Sequence, residues 1–177
     1  NVCNGVTSAD SASTLFALNA RLRIQGPEGE RVVSIHDFYK GPGKVALNHA
    51  DILTAILVTK DNYEGYGGHY IKYAMRGAMD IATLGCVVVC KVKGKQVEDF
   101  RLALGVAGPT PMRCPKTEEL VKGRVFDEKL LEEVGQSAIT EVNPRTSWRA
   151  SKEFRLQLVE ELSKRAFAEA YRKAGGE

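Results

Sequence analysis

Two long apolar runs joined by Lys93-Gly94-Lys95 constrain this chain more than any other feature. Residues 81–92 and 96–106 each read as a strand, and the glycine-centred link between them allows only a tight hairpin. A hairpin of that length needs a further strand and a covering layer to bury its face. Residues 70–75 supply the strand. The cover comes from a helix running from about Ser151 to Lys173, where Leu158, Val159, Leu162, Ala166, Phe167, Ala170 and Tyr171 form one apolar stripe. Two shorter helices precede it: residues 116–122, stopped by Gly123, and residues 128–140, begun by an Asp127 N-cap. Gly108-Pro109-Thr110-Pro111 ends the sheet, because prolines cannot donate to a central ladder. Three antiparallel strands packed with three helices define an α+β arrangement.

Residues 61–68, rich in glycine and tyrosine, read as a hinge that divides the chain into residues 1–60 and 61–177. The first part opens on a polar loop, residues 1–10, in which Asp10 or Ser11 is placed to cap a short helix over residues 13–18. Residues 20–25 alternate as a half-buried strand, Gly26-Pro27-Glu28-Gly29 turns, and residues 31–35 return as the hairpin partner. Residues 51–58 form another strand. The loop Gly41-Pro42-Gly43-Lys44 suggests a phosphate cradle, yet it lacks the Walker spacing and no helix follows, so it reads as a turn.

A hydrophobic share of 44% against 27% charged residues supplies a core, and a net charge of +3 is too small to call for nucleic acid or an anionic membrane. The apolar runs are too short for a membrane span. Cys86 and Cys90, four apart in a strand, point to one face and read as reduced core thiols of a cytoplasmic protein. With Cys3 and Cys114 they do not make a metal-ligand spacing.

The densest set of unexplained charges lies between the second-half strands. Lys72, Arg76 and Asp80 recur every four residues, which on a helix would align them, but Gly77 and the β-branched and aromatic flanks favour strand, loop over residues 76–80, and strand again. Charges on a loop between buried strands suggest a binding site. The competing reading is a surface loop closed by an Arg76–Asp80 ion pair, worth well under ~1 kcal/mol.

Several motifs carry a family resemblance. Asn1-Val2-Cys3-Asn4 followed by Ser8-Ala9-Asp10 resembles the second flavin-contacting loop of the FAD-binding subunits of molybdenum hydroxylases, a loop that opens Gly-Gly-Asn in the family. The likeness continues through Phe38-Tyr39-Lys40-Gly41-Pro42-Gly43-Lys44, Asp51-Ile52-Leu53, Lys72 with Arg76 and Asp80-Ile81-Ala82, Gly108-Pro109-Thr110-Pro111-Met112-Arg113, and Trp148-Arg149-Ala150-Ser151 with Phe154-Arg155. Within that family it is most similar to the flavin subunits of bacterial xanthine dehydrogenases.

The resemblance implies a site. Asn1, Cys3 and Asn4, with the amides between them, are expected along the FAD phosphates or ribitol, and Asp10 at the adenosine ribose. Leu53 is expected against the isoalloxazine and Lys72 at its pyrimidine edge. Arg76 and Asp80 are expected to gate or orient NAD. The resemblance further implies an oxidoreductase subunit that contributes no catalytic residue and no metal ligand. It would receive electrons from a [2Fe–2S] small subunit, fed by a molybdopterin-binding large subunit, and pass them through FAD to NAD. Because the two glycines before Asn1 and a first glycine-rich loop are not in this chain, it reads as an N-terminally truncated fragment, inactive alone. The alternative is a docking module that binds no flavin by itself and uses Trp148, Arg149 and Arg155 as interface anchors.

Overall fold

The computed structural model describes residues 1–176. After a series of turns, helix α1 (Asp10–Ala17) leads into strand β1 (Arg21–Gly26) and strand β2 (Gly29–Ser34), paired antiparallel through the Pro27-Glu28 turn. Leu22 and Ile24 of β1 are fully buried. Ser34 caps the single turn α2 (Ile35–Phe38), its hydroxyl accepting from the His36 amide. The hairpin β3 (Tyr39–Gly41) and β4 (Lys44–Val45) follows, confirming a turn rather than a phosphate loop. Strand β5 (Ile52–Leu57) then joins the free edge of β1, giving the order β2-β1-β5 with a bulge opposite Arg23 and Ile24.

The second sheet holds β6 (Gly67–Tyr73), β7 (Leu84–Lys93), β8 (Gln96–Gly105) and β9 (Met112–Arg113), antiparallel and in that order. The expected three strands are therefore joined by a short fourth. It lies just past Pro109 and Pro111, where the chain has turned back along β8. Gly94, at φ +59°, makes the β7–β8 turn. Helices α3 (Pro115–Val121), α4 (Glu128–Glu141) and α5 (Lys152–Lys173) complete the chain. Asp127 and Ser151 cap α4 and α5 by accepting from the Leu130 and Phe154 amides at 2.7 and 3.1 Å.

Alternation along β7 and β8 builds two cores from one sheet. Leu84, Cys86, Val88 and Cys90, with Phe100, Leu102 and Leu104, face the three helices and meet the expected stripe of α5, all of it buried. Val87, Val89 and Ala103 face the other way, onto Phe16, Leu22, Ile24 and Phe38. Both faces being covered, β7 is buried from Leu84 through Cys90. Burial pushes the Cys86 and Cys90 thiols up to about 12, so they remain neutral core residues. The N-terminal half is thus the second cover of the sheet.

Two arginines tie the halves together. Arg101 on β8 donates to the Ala17 carbonyl and to Asn62 Oδ1, pairs with Asp99 at 3.0 Å, and donates to Tyr66 at 2.8 Å. Arg113 on β9 donates to the Phe16 carbonyl at 3.3 Å and to Asn19 Oδ1 at 2.9 Å, while paired with Glu118. Both cations thus reach the carbonyls at the C-terminus of α1, where the helix dipole favours positive charge.

Candidate functional site

The ten-residue connection from β6 to β7 is the longest link between strands of the second sheet, and its ends are pinned by the Tyr73–Leu84 pair and the Thr83 amide on the Tyr73 carbonyl at 2.8 Å. Strand β6 therefore stops at Tyr73, and Ala74, Met75 and residues 81–83 belong to the loop rather than to the expected strands. Asp80 organises the interior of this loop. Its carboxylate accepts from the Arg76 and Ile81 amides, each at 2.8 Å, and lies 3.6 Å from the Arg76 guanidinium. Burial works to raise the Asp80 carboxyl; the two amides and the Arg76 charge outweigh it and hold the group below its ordinary value. Arg76 itself is 71% exposed. A cavity of about 260 Å³ opens here, lined by Lys72, Ala74, Arg76 and the loop as far as Asp80.

Lys72 connects this cavity to the N-terminal loop. Its ammonium lies 2.8 Å from Asp10 Oδ2, and the Tyr70 hydroxyl donates to Asp10 Oδ1 at 3.3 Å. Asp10 does not cap a helix at residue 13. Helix α1 begins at Asp10 itself, its N-cap is Ala9 with no side-chain bond, and the carboxylate turns away to the strand. The competing partner is the stronger one, a cation two residues from a tyrosine on the same face of β6. Burial, and then the Asp10 charge, push the Tyr70 phenol well above its ordinary value, so it stays a donor. Tyr70 was legible in principle: two residues before Lys72 on a strand, it must share that face.

The Asn1–Asn4 turn is anchored from below. Val2 is buried, the Asn1 carboxamide oxygen accepts from Ser11 Oγ at 2.7 Å, and the Gly5 carbonyl accepts from the Gly43 amide at 2.9 Å. Gly5 stands at φ +63°, and a Cβ there would meet the Lys44 nitrogen at 2.8 Å, so only glycine lets the turn lie on the β3–β4 hairpin. Cys3 and Asn4 face outward. Beside them the Tyr39 hydroxyl is buried without a hydrogen-bond partner, and burial, then Cys3, push it up to about 12. Leu53 sits on β5 opposite Ile24, half-buried against the N-terminal core, and does not line the Lys72 cavity. The structure thus joins Asp10 to Lys72, and Lys72 to Arg76 and Asp80, while Asn1, Cys3 and Asn4 form a neighbouring turn.

Comparison with known proteins agrees with this architecture. The family model for the FAD-binding domain in molybdopterin dehydrogenase matches residues 1–60, and that for the CO dehydrogenase flavoprotein C-terminal domain matches residues 69–170. The chain belongs to the FAD-binding flavoprotein subunits of the molybdenum hydroxylases. It is 45% identical to the xanthine dehydrogenase FAD-binding subunit of Escherichia coli O157:H7, over 99% of this chain and 60% of that protein. It is 30% identical to the glyceraldehyde dehydrogenase medium chain of Sulfolobus acidocaldarius, over 95% of this chain and 59% of that one. Among solved structures, carbon monoxide dehydrogenase from Hydrogenophaga pseudoflava superposes with a TM-score of 0.90 at 25% identity, covering 97% of this chain and 59% of its own. The chain therefore spans about 60% of the length of the curated relatives it matches.

FAD is the cofactor of this family. The donor set fits it: a lysine and an exposed arginine bordering one cavity, a glycine-dependent turn with Cys3 and Asn4 exposed, and an orphaned buried phenol beside that turn.

Proposed function

We propose that this chain is the flavin-holding part of a molybdenum hydroxylase of the xanthine dehydrogenase kind. In this reading a cytoplasmic oxidoreductase complex delivers electrons from a molybdopterin-binding large subunit, by way of a [2Fe–2S] small subunit, through FAD to NAD. The observation that carries the reading is the cavity shared by Lys72, Arg76 and Asp80, with Asp10 bonded to its lysine, in a chain whose length is matched throughout by FAD-binding subunits. Residues 1–60 would grip the cofactor, and residues 61–177 would supply its ring edge and the acceptor loop.

FAD, when bound, supplies the electron carrier between partner and acceptor. Lys72 offers a fixed cation where reduction builds negative charge. Asp10 and Tyr70 hold that ammonium in place. Because Asp10 and Lys72 touch, they address one end of an extended ligand, so we assign Asp10 to anchoring Lys72 in preference to the adenosine ribose. The Asn1–Asn4 turn would meet phosphate through its amides, and the half-buried Leu53 would offer an apolar wall to the ring. In the acceptor loop the roles divide. Asp80 is consumed by backbone donors and shapes the loop, whereas the exposed Arg76 is available to the phosphates of NAD.

A docking role is favoured by one further observation. Trp148 is 78% exposed, with the Arg149 guanidinium 4.2 Å over its ring, as an anchor for a partner subunit would be. Arg155, however, is buried and ties α5 to the Thr83 carbonyl, so it is not a surface anchor.

Lys72→Met in the intact complex tests the reading. The flavin potential should fall by tens of millivolts, ~30 mV being about 1.4 kcal/mol for a two-electron couple, with FAD content unchanged. An unaltered potential and turnover would return Lys72 to a snorkelling surface residue.

A further inference from the structure

Where Ile81 and Ala82 end the β6–β7 loop, a second cavity of about 70 Å³ is lined by three arginines, Arg145, Arg149 and Arg155. Among the described residues none of the three has a carboxylate within salt-bridge distance. Arg155 is 2% exposed, and its donors reach only neutral oxygens: the Thr83 carbonyl at 3.2 Å, the Arg145 carbonyl, and Ser147 Oγ at 2.8 Å. The side chains of Arg145 and Arg149 make no hydrogen bond within the described residues, apart from the stacking of Arg149 on Trp148. Burial, then the charges of Arg145 and Arg149, press the Arg155 pKa down. A buried cation is costly unless an anion accompanies it, and here the chain places two more cations beside it.

Thr7 and Ser8 line the cavity, and Val106 lines it with φ +66°, a left-handed conformation that a β-branched residue avoids. The Val106 amide bonds the Thr7 carbonyl at 3.1 Å, which fixes this strained corner against the N-terminal loop. A larger cleft of about 370 Å³ shares Thr7, Gly108 and Arg145 with the small one, leaving room for the body of a molecule whose charged end enters it.

We propose that this arginine pocket binds an oxyanion of phosphate size, either free or as the phosphate of a small molecule, at a place separate from the flavin. Guanidinium forks match tetrahedral oxyanions by paired N–H donors, and hydroxyl and cation walls together supply the remaining contacts. The site does not depend on the electron-transfer reading, since none of its arginines borders the Lys72 cavity.

The test uses the full-length subunit loaded with FAD. Inorganic phosphate is titrated at constant ionic strength against chloride, and the Tm is followed together with broadening of the phosphate ³¹P resonance. A saturable rise of about 3 °C at tenfold excess over Kd is expected. Arg145→Gln at an exposed position and Arg149→Gln at a half-buried one should together remove most of the rise and the broadening. Adenosine monophosphate in a parallel arm separates the sources: an equal or larger rise assigns the pocket to a phosphorylated small molecule, and a rise with phosphate alone to the free ion, either of which supports the site. An unmoved Tm and resonance overturn it. So does an equal response in the double variant, or a response seen only before FAD is loaded, which would place the anion in the flavin's own phosphate cradle.

Discussion

The Asp10 carboxylate and the Lys72 ammonium, 62 residues apart in the chain, meet at 2.8 Å. That bond joins the first helix of the N-terminal half to β6, an edge strand of the second sheet, and it places one negative and one positive charge side by side at the Lys72 cavity. Charges of opposite sign at one locus make opposite demands on a redox centre.

Asp10→Asn should therefore shift the flavin potential upward, the reverse of Lys72→Met, because it removes a negative charge and leaves the lysine uncompensated. Redox titration of both variants in the assembled complex reads this directly. Shifts of the same sign would show that the two residues act by holding the local structure instead of through charge.

The β6–β7 loop offers a contrast between Arg76 and Asp80. Arg76→Met should raise the KM for NAD about tenfold, the loss of one charge-assisted contact, and spare an artificial dye acceptor. Asp80→Ala should impair both acceptors, because its carboxylate holds the Arg76 and Ile81 amides. A selective NAD defect in Asp80→Ala would instead give that carboxylate a direct role.

Gly67 starts β6 directly beneath the end of α5. A Cβ there would meet the Ala170 carbonyl and the Ala174 nitrogen at 2.3 Å, backbone that cannot rotate away. Gly67→Ala should cost about 1–3 kcal/mol and lower the Tm by about 5 °C. Gly68→Ala, whose Cβ would find its nearest atoms at 3.7 Å, is the matched control and should change little. Equal behaviour of the two would mean that α5 does not pack against β6 as described.

Acid should weaken the fold through particular carboxylates. The Arg31 guanidinium and the Asn48 amide hold Asp51 below its ordinary value of 3.8. At Asp99, burial pulls the other way but is outweighed by the Tyr66 and Arg101 bonds. A depressed folded pKa stabilises at neutral pH, and that stabilisation is lost as pH falls below about 4 toward the folded values. Asp51→Asn should lower the Tm at pH 7 and flatten its decline in acid; curves that stay parallel would remove the Arg31–Asp51 pair from the acid response.

Local pattern carried much of the fold. The Asp127 cap, the Gly94 turn, the apolar stripe of α5 and the strand alternation of β1 depend on neighbours within a few residues, and each is present as read. The family motifs were equally legible, since they are strings of residue types. What sequence could not weigh was competition between local and distant partners. Asp10 has the composition of a helix cap, yet a lysine and a tyrosine from β6 outbid the helix amides for its carboxylate. The continuous apolar run of β7 is explained only by cover on both faces, one of it supplied by residues some 70 positions upstream such as Phe16. The arginines of the small pocket are unremarkable in the chain and come together because α5 sets the buried Arg155 beside Arg145, Arg149 and the N-terminal loop. Turns, caps and periodicities are decided by short-range geometry and can be read from adjacent residues; which charge meets which, and which cation is left without an anion, is decided by packing between segments far apart in the chain.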